Sequence, residues 1–554
     1  MLLQGRKYEE RRQEMKRSAR KAAKLAVAAI ILAICLPAVV FAAPAGKKIF
    51  TYAIQYDPPS IDPQINFAQR GELIALNLYE GLVSTDEKMT PVPAVAERWT
   101  ISKDGLVYTF YLRKNAKWKD GKPIVAGDFL YAWLRALNPK TNSKFANLLF
   151  FIKNAEDIYD GKKPASELGV KVVDDSTLQV TLASPIPYFL QLLAHGVYYP
   201  LRKDVVEAKP DAWAQKPETN MANGPFYLKE YAMNQKIVLA KNENYWNKDR
   251  VKVDEIHIVS IPDGNTALAA FKAGEIDGFD HIPASEVPNL MMDTDEIIVS
   301  PQVRTIYYAY NCAEPPFTDR RVRLSLSLAI NKKELAENIM KIGRKGATGY
   351  VPYGLYVEGE DFRKAGGDLG LTVTGDVERA KKLLAEAGYP DGKNWPADVK
   401  ITISSGYRSA VETIQEMWKK NLGINVKIET VEAKVLTDRR NTHKFQMAVG
   451  GWSAQIFHPI YFLEQITSDS GSNYPNYKNP AYDALIDQSK KEADPKKVLQ
   501  ILHQAEQLAF GNDAPLVPLY YETNYFMIKK GITGWFTDPI GRVHMRFVDA
   551  SGRQ

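Results

Sequence analysis

The sequence predicts an α/β protein of more than one domain. Three observations carry this. Residues 399–430 read as a strand, a helix and a strand (V-K-I-T-I-S-S, V-E-T-I-Q-E-M-W-K-K-N-L-G, I-N-V-K-I-E-T), with Gly423 as the helix stop. Such a β-α-β unit predicts parallel strands and a cleft near their ends. Residues 96–139 hold two tight-turn signals and a helix, the pattern of a small α+β subdomain. The 509 residues beyond Ala45, in a chain that is 45% hydrophobic, exceed what one ordinary core uses.

Taken in order, residues 25–41 form an apolar run behind Lys16, Arg17, Arg20, Lys21 and Lys24, with small residues for cleavage after Ala42 or Ala45. This reads as a signal peptide over 1–45, with Met1 or Met15 as the start; it is too short to favour a membrane span. Ile34 beside Cys35 argues against a lipoprotein box, so a cleaved leader and a periplasmic protein are expected. The leader carries nine Lys/Arg and three Asp/Glu of the chain's 72 and 65, which leaves 63 and 62, a net charge of +1 in the mature part. That balance implies no nucleic-acid partner. Cys312 alone remains, so no internal disulfide can form and stability rests on the core.

K-K-I-F-T-Y-A-I opens the mature chain as a strand, and P-P-S-I-D-P stops it. E-L-I-A-L-N-L-Y-E-G-L-V reads as a helix carrying Leu73, Leu76 and Leu78, ended by Gly81. Asp104-Gly105 is a hairpin turn before the alternating V-Y-T-F-Y-L. Lys119-Asp120-Gly121 is a second turn, and Asp128 is expected as the N-cap of F-L-Y-A-W-L-R-A-L. Further on, V-R-L-S-L-S-L-A-I alternates like a strand and A-K-K-L-L-A-E-A-G reads as a helix. The pairs Tyr198-Tyr199 and Tyr307-Tyr308 are expected to pack in strands, and 488–497 to be a solvated helix face and turn. The organising stretch is F-Q-M-A-V-G-G-W-S-A-Q-I-F-H-P, residues 445–459. An apolar run leads into Gly450-Gly451, where missing Cβ atoms let another backbone come close, and then into Trp452. Such a segment can offer main-chain donors and acceptors to an extended guest; its plainer reading is a core tryptophan beside a glycine bulge.

The segment 96–139, A-E-R-W-T-I-S-K-D-G-L-V-Y-T-F-Y-L-R-K onward, resembles the signature of the extracytoplasmic oligopeptide-binding proteins of ABC transporters, a family with dipeptide-, nickel- and murein-peptide-binding members. The resemblance continues in order through G-P-F-Y-L-K-E-Y, K-N-E-N-Y-W, F-K-A-G-E-I-D, P-P-F-T-D-R-R-V-R, A-K-K-L-L-A-E-A-G-Y-P and A-P-L-V-P-L-Y-Y. It implies a two-lobed, three-domain periplasmic-binding-protein fold with the ligand cleft between lobes. Residues 46–80, 204–303 and 523–554 would form domain I, 81–203 the inserted domain II, and 304–522 domain III, the second lobe. It implies a monomer without enzymatic activity or cofactor that captures an oligopeptide or modified peptide and delivers it to an ABC permease complex at the inner membrane.

Carried over residue by residue, the resemblance places Gly451, Trp452, Ser453 and Ala454 along the ligand and Arg440 near its carboxyl end, with Tyr520, Tyr521 and Phe145 as aromatic contacts. His458 is a candidate nickel-type or pH-sensitive contact. Two positions depart from the pattern. Gln455 stands where peptide-binding members place an aspartate for the ligand ammonium, and Val449 where some carry a second arginine. A hydrogen bond to an ionised group contributes roughly 1.5–3 kcal/mol against about 0.5–1.5 for a neutral one, so the Gln455 exchange weakens the grip on an ammonium about tenfold. Either a nearby acid such as Glu522 or Glu464 replaces the aspartate, or the ligand is a blocked or modified peptide or a neutral solute.

An exported peptidase is the competing class. Gly451-x-Ser453 lacks the second glycine of a nucleophile elbow, neither H-E-x-x-H nor C-x-x-C occurs, and the one Ser-x-x-Lys, Ser18 to Lys21, lies in the leader. The seven histidines, at 195, 257, 281, 443, 458, 503 and 544, lack the paired helical spacing of a metal site. A binding module coupled to a sensor would look the same in sequence.

Overall fold

In the computed structural model, which describes residues 46–554 apart from 67, 358, 455 and 493, the chain opens on β1 (Ile49–Ile54), buried along its whole length. The leader over 1–45 and Gln455 lie outside the described residues. Helix α1 (Gln69–Leu78) starts ahead of the expected Glu72 and ends before Tyr79, not at Gly81. Gly81 has a different role: a Cβ there would stand 2.8 Å from the Leu193 carbonyl oxygen, so it allows a close approach between segments.

The subdomain expected from 96–139 is a four-stranded antiparallel sheet with a helix inserted in its sequence: β2 (Ala96–Ile101), β3 (Val107–Leu112), α2 (Ala126–Leu137), β4 (Val170–Asp174) and β5 (Thr177–Thr181), ordered β2-β3-β5-β4. β3 alternates half-buried and buried side chains, as its sequence predicts. Gly105 and Gly121, at φ +69° and +86°, close the two turns. Asp128 is not the N-cap. It is the third residue of α2, where its Oδ2 accepts from the backbone N–H of Val125 at 3.0 Å and from Trp118 Nε1 at 3.1 Å. A carboxylate reaching back over the first turn does a cap's work from inside the helix. Tyr198 and Tyr199 are buried as expected, but Tyr198 ends a short 3-10 turn (Gly196–Tyr198) and neither lies in a strand.

The second sheet, eleven-stranded and mixed, runs through the rest of the chain. Its members in sequence are β1, β6 (Phe226–Ala232), β7 (Lys236–Lys241), β8 (Glu255–Ser260), β9 (Gly278–Phe279), β10 (Ile297–Tyr310), β11 (Lys400–Ile403), β12 (Lys427–Thr430), β13 (Met447–Ser453) and β14 (Leu516–Ile528). They are ordered β12-β11-β13-β10-β14-β9-β1-β8-β7-β6, with Lys345–Gly346 pairing beside β14. β11 and β12 are parallel and joined by a helix over Arg408–Leu422, which Gly423 ends at φ +71°, as expected. The segment that alternates like a strand is instead a helix, Arg320–Leu328, capped by the Asp319 side chain on the Arg321 N–H. Val322 to Leu328 are all buried in it, serines included: Ser325 Oγ donates to the Ala380 carbonyl at 2.7 Å. A helix buried all round carries no 3.6-residue stripe, so the alternation misleads.

The two longest strands, β10 with 14 residues and β14 with 13, lie side by side at the sheet's centre, with register shifts between Pro301 and Thr305 and between Ile306 and Tyr307. β1 and β6–β9 lie on one side of this pair and β11–β13 on the other. The expected divisions at 303/304 and 522/523 fall inside these two strands.

Candidate functional site

β13 pairs with β10 from Ser453↔Arg304 to Met447↔Tyr310 with no register shift, so no bulge interrupts the glycines. The Ala454 N–H donates to the Val303 carbonyl and the Asn311 N–H to the Gln446 carbonyl. Hydrogen bonds alternate along an antiparallel ladder. Residues 448, 450 and 452 therefore face β10, while Val449, Gly451 and Ser453 turn their main-chain groups away from it. On that side β11 pairs only with Met447 and Ala448. Beyond Ala448 the edge is uncovered among the described residues, and Gly451 and Ser453 present free donors and acceptors to whatever lies alongside.

The glycine pair makes room for arginines rather than for a guest backbone. A Cβ on Gly450 would stand 2.5 Å from Arg440 Nη1 and 2.9 Å from the Tyr307 hydroxyl; one on Gly451 would stand 2.8 Å from Arg304 Nη2. Directly opposed residues share a face, so Gly450 and Tyr307 lie on one side of the sheet and Gly451 and Ile306 on the other. The two arginines thus cross β13 on opposite faces. Arg440, from the helix over Ala433–Asn441, lies over the Tyr474 ring at 5.1 Å, and its Nε is buried without a hydrogen-bond partner. Arg304 Nη1 donates to Ser453 Oγ at 3.1 Å. Neither has a carboxylate partner among the described residues. Arg304 is absent from the sequence expectations because only the β10–β13 register brings it to Ser453, 149 positions away. Its one signal is an arginine inside the otherwise uncharged, β-rich run V-R-T-I-Y.

Trp452 is half-buried, stacked on Tyr461 with centroids 5.5 Å apart, its Nε1 donating to the Tyr461 carbonyl at 3.2 Å. Ala454 and Phe145 meet at a cavity of about 100 Å³ just past the end of β13, walled also by Leu192, Phe457, Ile540, Glu72 and Arg542. Phe145 packs edge-on against His195, centroids 4.7 Å apart. His458 is 4% exposed, against the Tyr188 ring, with Nε2 unpartnered; burial lowers its pKa to about 3. It is therefore a neutral packing group at ordinary pH.

The remaining candidates sit deeper. Tyr520 is buried beneath Arg344, whose guanidinium lies 5.7 Å from its ring centroid. The Tyr521 hydroxyl is used twice on Gly349, donating to its carbonyl at 2.9 Å and accepting from its N–H at 3.1 Å. Glu522 is held by Arg344 Nε at 2.8 Å and Glu464 by Lys490 at 2.9 Å.

The family model described as bacterial extracellular solute-binding proteins, family 5 Middle, matches residues 90–474. The chain is 36% identical over 496 residues to the periplasmic oligopeptide-binding protein OppA of Salmonella typhimurium, covering 88% of this chain and 90% of that one. Among solved structures, the murein tripeptide-binding protein MppA in its unliganded open form superposes with a TM-score of 0.82 at 32% identity, covering 91% of this chain and 97% of that one. Haemophilus influenzae OppA in complex with RPPGFSPFR gives 0.66 at 29% identity, covering 91% and 99%.

Proposed function

The chain belongs to the bacterial extracellular solute-binding proteins of family 5, and from that premise we propose that it captures peptides for an ABC importer, holding them extended along the free edge of β13. The observation that carries this reading is the uncovered Gly451–Ser453 edge. Every peptide has the same backbone, so main-chain bonds to such an edge grip many sequences alike, at roughly 0.5–1.5 kcal/mol net each. Trp452 and Tyr461 give one side-chain wall, and Arg440 and Arg304 supply positive charge for a carboxylate.

The matched relatives are binding proteins, and catalysis is not part of this reading. The higher TM-score to an unliganded open form than to a peptide complex fits an open arrangement. Domain I and the inserted domain II would form one lobe and domain III the other, joined through β10 and β14. Closure around a guest would dry the site, strengthen each polar contact and create a surface that a permease distinguishes from the open form. We further infer a monomer exported by cleavage of its leader into the periplasm.

Trp452→Ala tests the assignment. Calorimetric titration with a mixture of tri- to pentapeptides should show about tenfold weaker binding than the parent, with the unfolding midpoint little changed. Unaltered affinity removes Trp452 from the site.

A further inference from the structure

Unpaired cations stand on both faces of the free edge, Arg440 at Gly450 and Arg304 at Ser453, whereas an apolar cavity opens only past Ala454, and this constrains the guest. At the Gly450 end, Arg440 has no carboxylate among the described residues and a buried, unpartnered Nε. At the Ala454 end is the cavity of about 100 Å³, walled by Phe145, Leu192, Phe457 and Ile540. Its one acid, Glu72, is bonded to Arg542 Nη1 at 2.7 Å, and Arg542 Nε is held by Asp538. His195, also in the wall, accepts from the Val197 N–H at 3.2 Å, and burial lowers its pKa to about 4, so it is uncharged. The acids that could replace the missing aspartate are engaged too, Glu522 by Arg344 and Glu464 by Lys490. Residue 455 is a neutral glutamine.

We propose that the preferred guest carries a free carboxylate toward Gly450 and an uncharged, apolar cap on its amino end in the cavity beside Ala454: an N-acylated peptide. This rests on the strand-edge reading above. A free ammonium in that cavity would lose its water and find the one carboxylate there, Glu72, already bonded to Arg542, and buried ill-paired charge is among the costliest arrangements in a protein. An acyl cap removes the charge and buries carbon instead. The room, about 100 Å³, suits a formyl, acetyl or short branched acyl group.

The test uses the mature chain stripped of ligand and one tetrapeptide in three forms: free, N-acetylated, and N-acetylated with a C-terminal amide. The N-acetyl form should bind at least tenfold tighter than the free form at pH 7, and amidation should undo at least tenfold of its affinity. Equal or tighter binding of the free form overturns the proposal and leaves the strand-edge reading intact; binding of none of the three overturns both. Ala454→Leu, which fills the cavity, should bring the N-acetyl form down to the level of the free one, and an undiminished preference contradicts the assignment. Leu192→Asp, which places a carboxylate in the wall, should reverse the preference.

Discussion

Gly450 and Arg440 act as one unit: the guanidinium lies where any side chain at 450 would stand, so the absence of a Cβ is what brings a cation to the strand. Tyr307, fully buried beside it, cannot yield. A second isolated cation, Lys332, serves no such purpose. It is 1% exposed, its Nζ has no hydrogen-bond partner, and burial lowers its pKa from 10.5 to about 7. The sign follows from linkage. The unfolded chain takes up this proton as pH falls through 10.5, while the folded chain does so only near 7, so Lys332 costs stability increasingly between those values and fully below them. Lys332→Met should therefore stabilise the protein by a few kcal/mol at pH 7 and by little near pH 10. Urea midpoints measured across that range check this; a gain independent of pH contradicts it. The sequence marks Lys332 as an ordinary lysine after Asn331, because burial by distant segments leaves no local trace.

At the scale of elements, β13 has two kinds of backbone position, and proline tells them apart. Ser453 turns its N–H to the free edge, where losing a donor costs the fold little, whereas the Trp452 N–H faces β10. Ser453→Pro should weaken peptide binding at least tenfold in calorimetry while the unfolding midpoint moves by only a few degrees. Trp452→Pro should unfold the strand. Similar destabilisation by both would place the guest elsewhere. β13 itself is legible in the sequence, since M-A-V-G-G-W-S is apolar, β-rich and short, and the β-α-β unit after it in the sheet is legible from periodicity and Gly423. What is not legible is who crosses the strand. Arg304 reaches Ser453 by register, and the cavity beside Ala454 is built by Glu72 and by residues from 145–195, 454–457 and 540–542, which meet only in the fold. Arg320–Leu328 misleads for the converse reason: burial on every side erases the period that would announce a helix.

Across the whole molecule, one sheet carries both halves of the site's support. β10 and β14 pass from the β1 side to the β13 side without a break in the sheet, so a cleft edge on one side is tied to the other by two continuous strands. The family resemblance carried by the collinear motifs over 96–521 implies two lobes, but its divisions at 303/304 and 522/523 cut through the two strands that join them. Ligand chemistry is less legible, because Gln455 alone leaves a substitute acid, a blocked or modified peptide and a neutral solute open. The pairing of Glu522 with Arg344 and of Glu464 with Lys490 favours the blocked ligand proposed above. The most direct test of the central claim is the ligand the protein selects for itself. The mature chain, exported and purified without denaturation, would be weighed intact, then denatured and its released ligand identified by mass spectrometry. Short peptides, enriched in acylated amino ends, are expected; a protein that carries only a non-peptide solute and binds no peptide on titration would overturn the peptide-capture reading.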